Sequence, residues 1–192
     1  AKVPKRARME TDERRAQLLA LGLGVFSSRA YDEVSIEDLA RAAGISKGLV
    51  YHYFPTKRHF YVAVLREAAR QLLAETEPDE SAPPEERLRR GLSGYLAFVE
   101  KHARAYGALM RGGVGADKQV AAVIEKTRAE FVERFFSAPE LRAAISPRLR
   151  LAVRGWIGFV EATALEWLEQ RDLTREELLD LWTRVLFVSS SP

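Results

Sequence analysis

Residues 35–54 constrain the fold of this chain more than any other stretch, because their residue classes follow the order that a helix-turn-helix requires. A short first helix gains an apolar face from Leu39, Ala40 and Ala43. Gly44 then tolerates the positive φ of a sharp turn, and the hydroxyl of Ser46 can cap the next helix. The pattern therefore predicts two short helices joined by a tight turn.

The outward face of the second predicted helix suits the groove of a nucleic acid. Val50 and Phe54 stand four residues apart and would both face inward. The outward positions are Lys47, which supplies a cation, Gly48, which has no side chain, and Tyr51 and His52, whose rings can form hydrogen bonds. Such a surface suits a groove wall better than bulk water. The alternative is an ordinary helical hairpin, since glycine turns and serine caps are common.

The run Tyr51-His52-Tyr53-Phe54, followed by Lys57, resembles the DNA-binding domain of the TetR (tetracycline-repressor) family of bacterial regulators. The resemblance covers roughly residues 10–65, and beyond them only the helical layout is similar. It implies an all-α protein with a three-helix helix-turn-helix domain at residues 1–55. A helical ligand-binding and dimerisation domain at residues 56–192 would follow.

One departure from the family pattern lies just after the lysine, where Arg58 and His59 replace the usual acidic residues. Cations at a helix N-terminus oppose the helix dipole. A nearby phosphate would reverse the sign of that effect, so the departure favours phosphate contact.

The predicted DNA-binding residues divide into two roles. Base contacts are expected from Lys47, Tyr51 and His52, while Gly48 lets the backbone come close to the DNA. Phosphate contacts are expected from Ser35, Tyr53, Lys57 and Arg58. The same surface includes Ser46 and Leu49. A basic arm before the first helix, with Lys2, Lys5, Arg6 and Arg8, would follow the backbone or enter a minor groove; the alternative is a solvated terminus.

The charge distribution agrees with a nucleic-acid partner for the first part of the chain. Residues 1–60 carry eleven Lys and Arg against seven Asp and Glu, a balance of +4, whereas residues 61–192 carry nineteen against twenty. The positive excess therefore lies with the predicted helix-turn-helix.

Composition bounds the class of protein. The chain has 192 residues, of which 47% are hydrophobic and 30% charged, which is typical of a globular protein. It contains no cysteine, no apolar run that approaches the about 20 residues of a membrane span and no signal-peptide pattern. We therefore expect a cytoplasmic protein without disulfides or a membrane partner.

Prolines, caps and apolar spacing predict about nine helices and no strands. The first helix is expected from about Thr11 to Arg29, and a fourth from Thr56 to about Glu77 would link the two domains. A polar, proline-rich joint follows at residues 78–84. Helix caps are expected from Ser35 with Asp38 at the second helix, Asp117 at the seventh, Ser146 followed by Pro147 at the eighth, and Thr174 with Glu177 at the ninth.

The eighth predicted helix is apolar over more of its circumference than one packing face requires. Helices 8 and 9 would therefore form a four-helix bundle with those of a second copy, giving a homodimer. Close approach of the helices is favoured by the small residues Ala152, Gly155 and Ala162. The alternative is that these small residues pack inside one subunit.

The resemblance also implies a ligand cavity in the second domain, for a small apolar or amphipathic molecule. Its predicted lining combines apolar and polar side chains: Tyr106, Met110, Ile124, Thr127, Arg128, Phe131, Trp156, Phe159 and Glu161. For the polar members, Thr127, Arg128 and Glu161, surface or interface ion pairs are the alternative.

Catalysis has little support in the sequence. No two of the three histidines have the helical spacing of paired metal ligands, and nucleotide-binding and nucleophile motifs are absent. We therefore expect no catalytic residue, metal or cofactor. The expected function is a ligand-responsive dimeric regulator, a repressor rather than an activator, on a palindromic operator in double-stranded DNA. The alternative is a cytoplasmic helical small-molecule-binding protein or an enzyme with an incidental basic hairpin, which salt-dependent DNA retention would distinguish.

Overall fold

The computed structural model describes the backbone of residues 5–111, 117–138 and 145–190, and the side chains of residues 12–111, 117–138 and 145–187. Within these ranges the chain forms nine α-helices and no strand, which confirms the predicted all-α class. The helices are α1 (Lys5–Ser28), α2 (Ile36–Ala42), α3 (Lys47–Tyr53), α4 (Lys57–Glu75), α5 (Pro84–Lys101), α6 (Ala103–Arg111), α7 (Lys118–Ser137), α8 (Pro147–Gln170) and α9 (Arg175–Ser190), with a 3-10 turn at Tyr31–Glu33. None of the helices described is both long enough and apolar enough to cross a bilayer.

The first residues of the chain differ from the prediction. α1 begins at Lys5 rather than near Thr11, because residues 5–10 are mostly strong helix formers (Lys, Arg, Ala, Met and Glu). Lys5, Arg6 and Arg8 therefore belong to a helix and not to an arm that precedes one. Their side chains, and Lys2, lie outside the described residues.

The helix-turn-helix is fixed by local hydrogen bonds that the sequence predicts. The hydroxyl of Ser35 accepts a bond from the backbone N–H of Asp38 at 3.0 Å, and the Asp38 carboxylate accepts one from the N–H of Ser35 at 3.2 Å. Ser46 caps α3 by accepting from the N–H of Leu49 at 3.2 Å. Gly44 between them has a φ of 64°, a conformation that glycine adopts without steric cost.

The later helices also begin at the predicted caps. Asp117 accepts from two backbone N–H groups at the start of α7, and Ser146 accepts from the N–H of Leu149 ahead of α8. Thr174 and Glu177 form a reciprocal capping box at α9. Each cap satisfies a helix N–H that has no partner within the helix.

The described chain forms two compact units, divided between Arg70 and Gln71 within α4. The division falls there because the first turns of α4 belong to the core of the first unit, through Phe60, Ala63 and Val64. Gly22 of α1 permits their close approach, since a Cβ atom at this position would lie 2.6 Å from both Phe60 and Val64. The functional division into residues 1–55 and 56–192 stays a prediction.

The core of the second unit draws on α5, α7, α8 and α9. Trp182 lies at its centre with no exposed surface. Its indole N–H donates to the hydroxyl of Thr163 at 2.7 Å, and its carbonyl accepts from the indole N–H of Trp156 at 2.8 Å. The polar edges of both buried rings are thereby satisfied.

Candidate DNA interface and ligand cavity

The short helix α3 turns almost all of its side chains outward. Val50 has no exposed surface and anchors the helix to the core of the first unit. The five predicted contact positions on this helix, Lys47, Gly48, Leu49, Tyr51 and His52, are exposed. A Cβ atom at Gly48 would meet only the Ser46 hydroxyl, at 3.9 Å. A groove wall or a phosphate can therefore approach the backbone at this point.

Lys47 is held by a partner that sequence reasoning did not identify. Its ammonium forms an ion pair with the exposed carboxylate of Glu37 on α2 and lies 5.8 Å from the centre of the Tyr51 ring. The hydrogen bond between the two raises the pKa of Lys47 and lowers the pKa of the Glu37 carboxyl. Any anion that binds Lys47 must therefore compete with Glu37.

The start of α4 brings a second cation onto an aromatic ring. The Lys57 ammonium lies 4.2 Å from the ring centre of Tyr31, within the range of a cation–π contact. Thr56 caps the helix by accepting from the N–H of His59 at 3.1 Å. Tyr31 was not predicted as a partner of Lys57; it lies in the 3-10 turn between α1 and α2.

The remaining predicted phosphate contacts differ in exposure. Arg58 is exposed, whereas Ser35 and Tyr53 are half-buried. The Ser35 oxygen is engaged as the α2 cap, but its O–H remains a possible donor to a phosphate. The structure thus places the described members of the predicted set at the N-terminal caps of α2 and α3, on α3 itself and at the start of α4.

The second unit contains a cavity of about 860 Å³, a volume typical of small-molecule sites. Its wall is formed by residues that follow α4, among them Thr76, and by side chains from α5, α7, α8 and α9, and it is mainly aromatic and aliphatic. Three of the predicted residues line it: Phe131, Trp156 and Glu161. The other six, Tyr106, Met110, Ile124, Thr127, Arg128 and Phe159, are not among its lining residues.

Two of the six residues outside the lining support a residue that belongs to it. Arg128 donates to both carboxylate oxygens of Glu161 at 2.6–3.0 Å, and the two side chains are 19% and 14% exposed. Tyr106 donates to the Glu161 carbonyl at 3.2 Å and bonds to the hydroxyl of Tyr95, which lines the cavity, at 2.7 Å. Burial raises the pKa of both phenols, so they stay neutral near pH 7.

Thr127 and the apolar candidates have other surroundings. The Thr127 hydroxyl donates to the Val123 carbonyl within α7, Ile124 is buried, and Phe159 packs against the core from α8. The lining residues that were missed include Leu149, Val153 and Val160. They lie seven and three residues before Trp156 and four residues after it, and this helical periodicity was the signal that could have found them.

The outer face of α8 is apolar and exposed. Leu151 is 74% exposed, Gly155 and Ala162 are also exposed, and a Cβ atom at Gly155 would meet no described atom within 4 Å. On α9, Leu181 is 38% exposed. At Gly155 and Ala162 the small side chains do not pack inside the subunit, which was the alternative to an interface.

A helix-turn-helix with an exposed basic and aromatic face, joined to a helical unit with a cavity, defines a class of DNA-binding regulators. The family described as "Bacterial regulatory proteins, tetR family" matches residues 18–64, and "Tetracyclin repressor-like, C-terminal domain" matches residues 84–189. The chain belongs to the TetR family of bacterial transcriptional regulators. It is a DNA-binding regulator and not an enzyme, as the sequence predicts.

Relatives and solved structures agree with this assignment. A tetR-family regulator from Streptomyces coelicolor is 37% identical, with a TM-score of 0.80 over 93% of this chain and 79% of that one. The transcriptional activator FasR of Mycolicibacterium smegmatis is 27% identical over 169 residues, which are 84% of this chain and 75% of FasR. FadR from Bacillus subtilis, solved with stearoyl-CoA, shares the fold at 17% identity and a TM-score of 0.70, over 92% of this chain and 97% of FadR.

Proposed function

We propose that this protein is a homodimeric repressor of a palindromic operator, which it releases when a small apolar or amphipathic ligand fills the cavity. The observation that carries the proposal is the continuity of α4. This helix begins at Lys57, beside the helix-turn-helix, and ends at Glu75, one residue before the cavity-lining Thr76. Ligand and DNA would therefore act on the two ends of one helix.

The DNA contacts follow the exposure of the side chains. Lys47, Tyr51 and His52 would contact base edges from α3, and Lys57 and Arg58 would hold phosphates from the start of α4. The base-contacting and the phosphate-contacting residues should therefore affect different measured properties of DNA binding. Base contacts determine which sequence is preferred, whereas phosphate contacts strengthen binding to all duplexes and make it sensitive to salt.

The ligand class follows from the cavity wall. A long apolar moiety matches the aromatic and aliphatic lining, and a polar group would lie near the arginines Arg87 and Arg134. The stearoyl-CoA bound to FadR shows that this fold can hold an amphipathic molecule. Fatty acids and fatty acyl compounds are therefore the first candidates.

The dimer interface would be formed by α8 and α9 with their symmetry mates. The exposed stripe of Leu151, Gly155 and Ala162 lets two copies of α8 approach closely and removes apolar surface from water. Repression requires only that the dimer occupies the operator. Activation, which the name of FasR records for that protein, requires a further productive contact with the transcription machinery.

Replacing Gly155 with leucine tests the interface. We expect Gly155→Leu to convert the dimer to monomer, because the new side chain has open space within the subunit but would enter the interface. Light scattering measures the mass, and circular dichroism checks that the helices are retained. Lys118→Leu, an exposed apolar addition at the start of α7, is the matched control. An unchanged dimer in Gly155→Leu would place the interface elsewhere.

The operator is the test of the function as a whole. Duplexes selected from a random library on the full-length protein should contain two inverted half-sites, with centres about 34 Å apart or slightly more. Binding should be specific by at least about a thousandfold and should weaken steeply between about 50 and 200 mM salt. Equal affinity for the selected and the random duplexes would contradict a sequence-specific repressor.

A further inference from the structure

Arg134 of α7 binds the C-terminal end of α4. One guanidinium nitrogen donates to the carbonyl of Leu73 and lies 3.5 Å from the hydroxyl of Thr76. The other forms an ion pair with Glu77 at 3.1 Å. The guanidinium thus donates, from another helix, to a carbonyl in the last turn of α4.

These contacts satisfy groups that a helix end leaves without partners. The last carbonyls of an α-helix have no N–H donor within the helix, and a cation near them is stabilised by the helix dipole. At this end, the carbonyl of Leu72 accepts from the N–H and the hydroxyl of Thr76, and that of Ala74 accepts from the N–H of Glu77. The Leu73 carbonyl accepts from Arg134 and, at 3.4 Å, from the hydroxyl of Thr76.

The end of α4 is also held sterically. Gly94 of α5 lies so close that a Cβ atom there would be 2.6 Å from the carbonyl oxygen of Glu75. On one side, the last turn of α4 lies against the α5 backbone at Gly94, which leaves no room for it to move closer. On the other side it contacts the Arg134 guanidinium, which is on a flexible side chain. A ligand can therefore alter the contacts of this helix end more easily by moving the Arg134 side chain than by moving the α5 backbone.

Arg134 is at the same time a lining residue of the cavity, together with Thr76. Its side chain is 26% exposed, whereas its partner Glu77 is 70% exposed. An ion pair with such an exposed carboxylate is weak, because water screens it and the long side chains lose freedom. A carboxylate presented from the apolar cavity can form paired hydrogen bonds to the same guanidinium under less screening.

We infer that Arg134 transmits the presence of ligand to α4, and that the ligand is a long-chain carboxylate whose head group binds this arginine. The acyl chain fills the apolar cavity, and the carboxylate takes the guanidinium from the Leu73 carbonyl and from Glu77. The end of α4 then loses its contact with Arg134, and operator affinity falls. This inference rests on the proposed function and adds the residue and the chemical class.

Palmitate and methyl palmitate are the probes, since the ester keeps the chain and loses the charge. Binding is followed by tryptophan fluorescence, because Trp156 lines the cavity, and operator affinity is measured with and without each probe. We expect palmitate to weaken operator binding of the wild type about tenfold or more, and methyl palmitate to have less than a third of that effect. Failure of palmitate to bind, or an equal effect of the ester, would overturn the carboxylate class.

Arg134→Met should bind the operator more weakly without ligand and respond less than twofold to palmitate. Glu77→Gln keeps the arginine and removes its competitor, so it should bind palmitate more tightly and still respond. Arg134→Lys, which retains the charge, should recover part of the ligand-free operator affinity. Arg150→Met is the control for loss of an arginine from the same unit, because Arg150 pairs with Glu133 and does not line the cavity.

The outcomes separate the two proposals. If the wild type binds palmitate and releases the operator, and Arg134→Met does the same, the role of Arg134 is wrong while the repressor function stands. If Arg134→Met does not fold, a wild-type response in Glu77→Gln with unchanged palmitate affinity decides against the competition at this guanidinium. If the wild type never binds a selected duplex, the proposed function itself fails.

Discussion

The two units of this protein present their functional side chains in opposite ways. In the first unit, a seven-residue helix has Val50 as its buried anchor and exposes five of its other residues, Lys47, Gly48, Leu49, Tyr51 and His52, to solvent. In the second, charged groups far apart in sequence meet around a cavity. Arg128 reaches Glu161 across 33 residues, and Arg134 reaches the Leu73 carbonyl across 61. One site is a surface built by local structure, and the other is an interior built by packing.

This difference predicts how each unit responds to mutation. A predicted contact residue on α3 should contribute little to stability, because removing an exposed side chain leaves no cavity behind. A residue around the cavity of the second unit should affect both ligand binding and stability, since the wall that would hold a ligand is continuous with the core. Binding and stability should therefore separate in the first unit and couple in the second.

The largest effect is expected at the centre of the second unit. Trp182→Ala should lower the free energy of unfolding by about 3–5 kcal/mol, because it empties a fully buried site and removes the donor to Thr163. Denaturation followed by tryptophan fluorescence reports on this unit alone, since the other tryptophans, Trp156 and Trp167, also lie in it. Trp182→Phe, which keeps an aromatic ring, should cost less. A loss below about 1 kcal/mol for the alanine variant would show that the core tolerates the cavity.

On α3 the expected effect is on DNA and not on stability. Tyr51→Ala should weaken operator binding by about 1–3 kcal/mol and relax specificity, while thermal unfolding stays within about 0.5 kcal/mol of the wild type. Titrations against operator and random duplexes measure both quantities. Lys57→Ala is the contrasting variant, since it should weaken both duplexes alike and reduce the salt slope by about one. Equal losses on both duplexes for Tyr51→Ala would argue against base contact.

The smallest effect is expected from the ion pair between Lys47 of α3 and Glu37 of α2. Glu37→Gln should tighten binding to random DNA by about two- to fivefold, because it frees Lys47 and removes a negative charge near the phosphates. The gain should fade as salt rises, and a series of titrations at increasing salt would show it. Glu67→Gln removes a carboxylate from α4 that pairs with Arg70 and serves as the charge control. A gain in both variants would trace the effect to net charge alone.

Elements fixed by neighbours in sequence were predictable, and those fixed by distant partners were not. The Ser35–Asp38 capping box and the Ser46 cap depend on groups no more than three residues apart, so the local sequence pattern was sufficient to predict them. The start of α1 was misjudged because a run of basic residues is compatible with both an arm and a helix. The cavity lining was predicted only in part, since residue type does not say which apolar face borders a void. Arg134 was not predicted as a site residue, because its partner on α4 is a backbone carbonyl and no residue type in the sequence indicates such a contact.

α4 is a single helix of 19 residues that contains neither glycine nor proline. At about 1.5 Å per residue it is about 28 Å long, and nothing in its sequence provides a hinge. Under the proposed function it would act as a stiff lever, because a small tilt at one end of a straight helix produces a larger displacement at the other. Each degree of tilt about its Glu75 end carries the Lys57 end through about 0.5 Å. A tilt of about 5° would move that lysine by more than 2 Å, which is enough to take a phosphate contact from bonding distance to beyond it.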